Sequence, residues 1–102
     1  MAGKYTNDAQ QRLLKIVLAM FGDVVNGYLP SELQKTVGCS AGTMTRDLDN
    51  LDTAGLARQD AETGRWTLTP RLPQQTIKVW SAIDRAEQRV QEAKQRFTRN
   101  PD

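Results

Sequence analysis

Few side chains in this 102-residue chain are suited to catalysis. The chain contains no histidine, so it lacks the most common general base and metal ligand. A single cysteine, Cys39, cannot build a zinc site by itself. Three acids lie close together, Asp47, Asp49 and Asp52, and paired carboxylates can hydrolyse sugars or bind cations. On a helix, Asp49 and Asp52 are better explained as a solvated face, so we expect no enzyme, no cofactor and no metal site.

A second group of side chains is suited to binding rather than to reacting. Arg46 carries a planar guanidinium that can donate two hydrogen bonds to a pair of acceptors, as on the edge of guanine. Thr43 and Thr45 can reach phosphates or a thymine methyl group. The alternative for Arg46 is a surface contact with Asp49 or Asn50.

The elements that must position these side chains begin with a short helix near residue 31. Ser31 and Gln34 stand in capping-box register, which predicts the start of that helix. Leu33 and Val37 are four residues apart, so one face of the helix is expected to be buried.

A second helix follows after a tight turn. Gly38 ends the first helix, because a residue without Cβ takes the left-handed conformation without strain. Ser40 is the predicted N-cap of the second helix, whose buried stripe is Met44, Leu48 and Leu51. This spacing predicts a helix-turn-helix, the unit that presents its second helix to the major groove of DNA.

A two-stranded hairpin is predicted directly after the second helix. Residues 56–59 and 65–69 can form strands, and residues 60–64 are polar with Gly64 at the end, as hairpin loops require. A helix-turn-helix followed by a hairpin is a winged helix.

Both parts resemble bacterial winged-helix regulators. The segment TMTRDLDNLDTAGLA is similar to their recognition helix and following turn, and Thr45-Arg46-Asp47-Leu48 resembles the DeoR type. The hairpin, ARQDAETGRWTLTPRL, resembles the IclR type, in which an acidic-Thr-Gly-Arg-aromatic-x-Leu run precedes Pro-Arg-Leu. The similarity covers about residues 12–72. It implies a transcriptional regulator that binds double-stranded DNA, with the recognition helix at about 40–53 and the wing at 57–68.

On this interpretation, one set of residues is predicted to contact DNA. Lys35 and Arg65 are expected to grip the flanking backbone, and Arg46 is expected to read a base. The predicted contacts are Lys35, Ser40, Ala41, Gly42, Thr43, Thr45, Arg46 and Arg65.

The segment 7–21 predicts a strong N-terminal helix, with Asn7 and Gln10 in cap register. Two apolar stripes run along it, which indicates cover on two sides. The first stripe, expected to bury against the helix-turn-helix, is Leu14, Val17, Leu18 and Phe21. The second stripe is Leu13, Ile16 and Met20.

The C-terminal segment QQTIKVWSAIDRAEQRVQEAKQRF has no glycine or proline and predicts one helix of about 25 residues. Its apolar positions repeat at alternating spacings of three and four, a heptad register. The heptad positions are Thr76, Val79, Ile83, Ala86, Val90, Ala93 and Phe97. We therefore predict a homodimer, with Val79, Ile83, Val90 and Phe97 as dimerisation residues. The helix would pair with its twin or pack on the partner's first helix; the alternative is a helix folded back on its own domain.

The predicted fold class is mainly α with a small β-hairpin, divided into a winged helix-turn-helix domain at 1–72 and a C-terminal helix at 73–102. We expect no small-molecule effector domain in this chain. The longest apolar run, residues 16–21, is too short to span a membrane, and the lone Cys39 fits a reducing compartment, so a cytoplasmic, nucleoid-associated protein is expected. Cys39 itself is interpreted as a packed thiol rather than a redox sensor.

Charge tests the DNA hypothesis and leaves a second one open. Residues 37–72 hold four basic and five acidic side chains, whereas strong nucleic-acid binders show a basic excess. The alternative is a protein-interaction module that keeps the winged-helix fold without specific DNA binding.

Overall fold

The structure is a computed structural model that describes residues 3–99. Its elements in chain order are α1 (Asp8–Met20), α2 (Pro30–Val37), α3 (Ala41–Thr53), β1 (Ala57–Gln59), β2 (Trp66–Leu68) and α4 (Pro73–Thr98). The predicted fold class, mainly α with one hairpin and a long C-terminal helix, is confirmed. The chain divides into two compact units, one ending at Arg71 and one beginning at Leu72. Within the described part, no helix has the length and apolar character needed to cross a bilayer.

Local sequence signals explain most helix ends. The side chain of Asn7 caps α1 by accepting from the Gln10 backbone N–H at 3.0 Å, and Ser40 caps α3 by accepting from Thr43. Gly38 ends α2 in the left-handed conformation, with φ of 72°. These three predictions are confirmed.

The predicted capping box at the start of α2 is wrong. The helix begins at Pro30, and the N–H of Leu29 donates to Glu32 Oε1 at 2.7 Å. Ser31 therefore lies inside the first turn. Proline starts the helix earlier because its φ is already helical and it has no N–H to satisfy there.

The core of the first unit forms where α1, α2 and α3 meet. Its fully buried side chains are Ile16, Met20, Leu33, Met44, Leu48 and Leu51. Met44, Leu48 and Leu51 are the predicted stripe of α3, and all three are buried as expected. Ala57, Trp66 and Leu68 extend this core onto the hairpin.

The prediction that the Leu14 stripe of α1 packs against the helix-turn-helix is wrong. Leu14 and Leu18 are 59% and 71% exposed, whereas Ile16 and Met20 of the other stripe are 0% and 1% exposed. Both stripes have helical spacing, so periodicity alone could not choose between them. The path of the chain after α1 decides which stripe is buried, because α2 and α3 pack on the side of α1 that carries Ile16.

A short third strand-like segment ties the hairpin to the loop before α2. Tyr28 and Trp66 form an antiparallel bridge, in which each backbone N–H donates to the other residue's carbonyl, at 2.9 and 2.8 Å. Gly27, with φ of 71°, has the backbone oxygen of Trp66 only 2.1 Å from where a Cβ would stand. Glycine is required at this position for both reasons.

The hairpin has the predicted alternation. Ala57 pairs with Leu68 and Gln59 with Trp66, and the two large residues of β2 point into the core. Asp60 organises the loop, since its carboxylate accepts from the N–H groups of Glu62 and Thr63.

Among the described residues, the second unit is formed mainly by α4, a single helix of 26 residues. Proline at its first position, Pro73, has the φ that a helix start requires. No residue of α4 is buried.

Candidate nucleic-acid interface

The outward face of α3 carries four of the eight predicted binding residues. Met44, Asp47, Leu48 and Leu51 are buried on one side of the helix. The opposite side is exposed and consists of Ala41, Gly42, Thr45, Arg46, Asp49 and Asn50. Buried and exposed residues separate along this helix because three- and four-residue spacings return to the same face.

The first turn of this face is held by its own side chains. Ser40 Oγ accepts from the Thr43 N–H and also donates to Thr43 Oγ1 at 3.0 Å. Thr45 Oγ1 donates to the carbonyl of Ala41 at 2.9 Å. The hydroxyls of these predicted site residues are thus fixed in direction, and Ser40 and Thr43 serve the helix cap as well.

Arg46 is the cation of this face. Arg46 forms no salt bridge with Asp49. The side-chain amide of Asn50 donates to the backbone carbonyl of Arg46 at 2.8 Å and not to its side chain. Among the described residues, its guanidinium has no hydrogen-bond or ion-pair partner. The side chain is available for an external acceptor.

Gly42 stands beside Arg46's turn of the helix with open space around it. No heavy atom lies within 4 Å of the position that a Cβ would occupy. Glycine costs about 1 kcal/mol relative to alanine inside a helix, and no packing within the described structure requires it here.

Asp47 does not join the outward face. It is 7% exposed, and its carboxylate receives two hydrogen bonds from Arg12 of α1, from Nε at 2.5 Å and from Nη2 at 3.1 Å. This contact raises the pKa of the Arg12 guanidinium, chiefly through the hydrogen bond to Asp47. The fold brings Arg12 and Asp47 together from positions 35 residues apart in the chain.

The three acids of α3 therefore do not form one cluster. Asp47 is paired inside, whereas Asp49 and Asp52 are exposed. Within residues 3–99, no group of three or more His, Cys, Asp or Glu side chains is placed to hold a metal ion.

Arg65, predicted to contact phosphate, is bound within the fold. Its Nε donates to the carbonyl of Asn26 at 3.2 Å, and its Nη2 donates to the carbonyl of Gly27 at 2.9 Å and to Glu32 Oε1 at 3.2 Å. These contacts join the wing to the loop before α2 and to the first turn of α2. Only Nη1 has no partner among the described residues.

Two further cations are exposed near these elements. Lys35 lies in the last turn of α2, and Arg58 lies at the centre of β1, across from Thr67. Within the described structure, the side chain of neither residue forms a hydrogen bond or an ion pair. Arg58 is not among the residues predicted to contact DNA, although successive side chains of a strand point to opposite faces and the buried Ala57 therefore places Arg58 outward.

The predicted dimerisation residues all lie on α4 and are exposed. The exposed fractions are 56% for Val79, 40% for Ile83, 53% for Val90 and 86% for Phe97. They belong to the second unit, separate from the residues of the α3 face.

The fold is similar to that of a solved structure, the crystal structure of Pseudomonas aeruginosa HmgR. The TM-score is 0.61 and the sequence identity is 24%. The match covers 71% of this chain and 29% of the HmgR chain, so the present chain spans less than a third of the protein that it resembles. No protein-family model and no curated protein sequence matches.

Proposed function

We propose that this chain binds double-stranded DNA in a sequence-specific manner and regulates transcription as a homodimer in the bacterial cytoplasm, associated with the nucleoid. In the proposal, α3 enters the major groove and the hairpin lies along the flanking backbone. The observation that carries the proposal is the outward face of α3, where an unpaired Arg46 stands next to an unobstructed Gly42.

The absence of a side chain at Gly42 favours close approach by a large ligand. A helix that only packs against its own domain gains from alanine here. A phosphate group or a base edge, by contrast, can approach the helix backbone closely where there is no side chain, and the N-terminus of a helix favours negative charge. The N-terminal residues of a recognition helix are also those that meet bases in helix-turn-helix complexes.

The Arg12–Asp47 pair removes one of the negative charges that count against DNA binding. Asp47 faces inward and is neutralised, so it does not repel phosphates at the α3 surface. The cations offered outward are Arg46, Lys35 and Arg58, with Arg65 contributing through Nη1. Because this set is small, affinity is expected to depend on specific base contacts as well as on charge.

A second function is favoured by the exposed stripe of α1. Leu14, Leu18 and Phe21 leave an apolar strip on the surface, and such strips commonly mark protein contacts. The alternative is therefore a protein-interaction module that keeps the winged-helix fold without specific DNA binding.

The first experiment selects preferred duplexes from a random pool and then titrates the enriched sequence across salt concentrations. Arg46→Ala is expected to cost about 1–3 kcal/mol on that sequence and to relax preference at one base pair. Lys15→Ala on α1, away from the proposed interface, is the matched control. A pool without enrichment, with Arg46→Ala binding like wild type, overturns the proposal and leaves the protein-interaction alternative.

The wing is tested by comparing two arginines. Arg58→Ala is expected to weaken binding to all duplexes and to make the salt dependence shallower by about one unit per protomer, with an unchanged melting temperature. Arg65→Ala is expected to weaken binding and to lower the melting temperature as well, because it removes contacts to Asn26, Gly27 and Glu32. Unchanged affinity in both variants removes the wing from the DNA interface.

Gly42→Ala separates folding from binding at one position. The variant is expected to raise the free energy of unfolding by about 0.5–1 kcal/mol, because alanine is the better helix former. Affinity for the selected duplex is expected to fall. A variant that is more stable and binds equally well would mean that nothing approaches this turn closely.

A further inference from the structure

The apolar face of α4 has an unusual order of sizes along its heptad positions. Larger residues stand at one set of positions, at Ile83, Val90 and Phe97, and smaller ones stand between them, at Ala86 and Ala93. The larger side chains are 40% to 86% exposed and no residue of the helix is buried. Such a face requires a partner whose large residues meet its small ones, because apolar layers are close-packed.

A second copy in parallel orientation does not place large residues opposite the small residues of α4. In parallel pairs each heptad position faces its own twin. Ala86 would face Ala86 and Ala93 would face Ala93, with Ile83, Val90 and Phe97 layers on either side. One helix separation cannot suit both kinds of layer, so the alanine layers would leave cavities.

An antiparallel second copy places large residues opposite small ones from Val79 to Phe97. When Ala86 lies opposite Val90 of the second copy, this one pair determines which residues face each other in all the neighbouring layers. Ile83 then faces Ala93 of the second copy, and Val79 faces Phe97 of the second copy. Each layer pairs a larger side chain with a smaller one, and the twofold axis repeats all three layers.

We propose that α4 pairs antiparallel with α4 of a second copy, in the register that places Ala86 opposite Val90. The inference rests on the homodimer included in the proposed function, and it specifies the orientation and register of that homodimer.

Charges beside the seam agree with this orientation. A parallel pair would set Arg89 beside Lys94 of the second copy on both sides. The antiparallel register instead sets Trp80 beside Lys94 of the second copy on one side, twice by symmetry, and a cation over an indole is favourable. The antiparallel register also sets Glu87 and Arg89 each beside its own twin, so both orientations have two like-charge contacts. The contacts of Trp80 with Lys94 are therefore what favours the antiparallel pair.

The orientation has a consequence for the DNA-binding units. Pro73 starts α4, and in this register the Pro73 residues of the two copies lie about 45 Å apart along the helix pair, at the standard rise. A parallel pair would hold the same residues side by side. The antiparallel dimer therefore attaches its two winged-helix units at opposite ends of the helix pair.

Disulfide cross-linking between two single-cysteine proteins tests the orientation. Full-length Val79→Cys, carrying an affinity tag, is mixed with untagged Phe97→Cys and oxidised mildly, both in a Cys39→Ser background. The proposed register predicts the mixed 79–97 disulfide as the main product. A parallel dimer predicts only the two homodisulfides, because residues 79 and 97 would then be about 27 Å apart. Gln88→Cys, on the outer side of the helix, is the control that forms no cross-link.

Ala93→Leu tests the register with an effect of opposite sign in the two orientations. Opposite Ile83 of the second copy, leucine replaces a layer of one large and one small residue by a layer of two large residues next to the small Ala86–Val90 layer. Dimer affinity is therefore expected to fall about tenfold. In a parallel dimer leucine would fill the space between two alanines and strengthen association. Adding Ile83→Ala to the variant is expected to recover most of the lost affinity in the proposed register.

Failure of this inference is distinguishable from failure of the proposed function. Homodisulfides alone, or a stronger Ala93→Leu dimer, overturn the antiparallel register while DNA selection and the Arg46 variant still report on DNA binding. A dimer that forms no cross-link at any of these positions overturns the α4 pairing and moves the contact to another surface.

Discussion

The contact between Arg12 and Asp47 links α1 to α3 at the scale of single residues. Asp47 is nearly buried, and its carboxylate is satisfied by two hydrogen bonds from one guanidinium. Planar two-point pairing of this kind is stronger and more directional than a single ion pair. Together with the buried Met44, Leu48 and Leu51, it holds the inner side of α3 against the first unit, while Arg46 stays exposed.

Removal of Arg12 is expected to destabilise the fold more than neutralisation of Asp47. Arg12→Met leaves a carboxylate in the core boundary without a partner, whereas Asp47→Asn keeps a neutral group that arginine can still reach. Thermal melting of both single variants and the double variant measures this. The double variant is expected to be more stable than the sum of the single losses predicts. Equal, additive losses would show that the two side chains do not interact energetically.

Asp23 gives the first unit an acid-sensitive turn before α2. Its carboxylate accepts from the backbone N–H groups of Asn26 and Val25, at 2.9 and 3.2 Å. These hydrogen bonds, chiefly the one from Asn26, lower the pKa of Asp23 in the folded chain. A depressed folded-state pKa contributes stability above the unfolded pKa, and that contribution is lost as the pH falls through the folded pKa.

We therefore expect wild type to exceed Asp23→Asn in free energy of unfolding at neutral pH, with the difference shrinking below about pH 4. Denaturant unfolding at a series of pH values measures the difference. Asp49→Asn, at an exposed position on α3, is the control whose difference from wild type should change less. A constant difference for Asp23→Asn across the acid range would contradict the role of its charge.

At the scale of elements, the packing of α3 against α1 and α2 holds the proposed interface in place. Leu48 is 1% exposed at the centre of this contact. Leu48→Ala is expected to cost about 2–5 kcal/mol, through lost burial and the cavity left behind. Chemical denaturation measures it, with Leu18→Ala on the exposed stripe of α1 as the matched control. A Leu48 variant as stable as the control would mean that the register of α3 is incorrect.

At the scale of the whole molecule, the chain separates a folded unit with its own core from a long helix without one. Among residues 3–99, the nine buried apolar side chains all lie in the first unit, and α4 contains none. Most of the stability of helices in proteins comes from packing of an apolar face, so α4 is expected to be stabilised by a partner that covers its apolar face. We propose that the first unit contacts DNA and that α4, in the second unit, forms the contact between two copies of the chain.

Truncation before Pro73 is expected to convert a dimer into a folded monomer. The buried core lies upstream of the cut, so the truncated chain should still melt cooperatively. Sedimentation equilibrium measures the change of mass. A full-length chain that stays monomeric at tens of micromolar, or a truncated chain that still dimerises, would contradict the role of α4.

The sequence by itself determined the elements whose causes are local. Asn7 and Ser40 cap their helices because each side chain reaches a backbone N–H three residues on, and Gly38 ends α2 through its own backbone freedom. The hairpin follows from the polar loop at 60–64 and the alternation of β2. Such interactions span a few residues, so residue types and spacing are sufficient to predict them.

Only the tertiary structure decided which faces and which distant side chains meet. Both stripes of α1 have helical spacing, and the return path of the chain selected Ile16 and Met20 for the core while leaving Leu14 and Leu18 outside. Residues separated by more than 30 positions form the contacts of Arg12 with Asp47 and of Arg65 with Glu32. Sequence patterns report the period of an element but not its rotation or its neighbours, because both depend on the packing of the whole core.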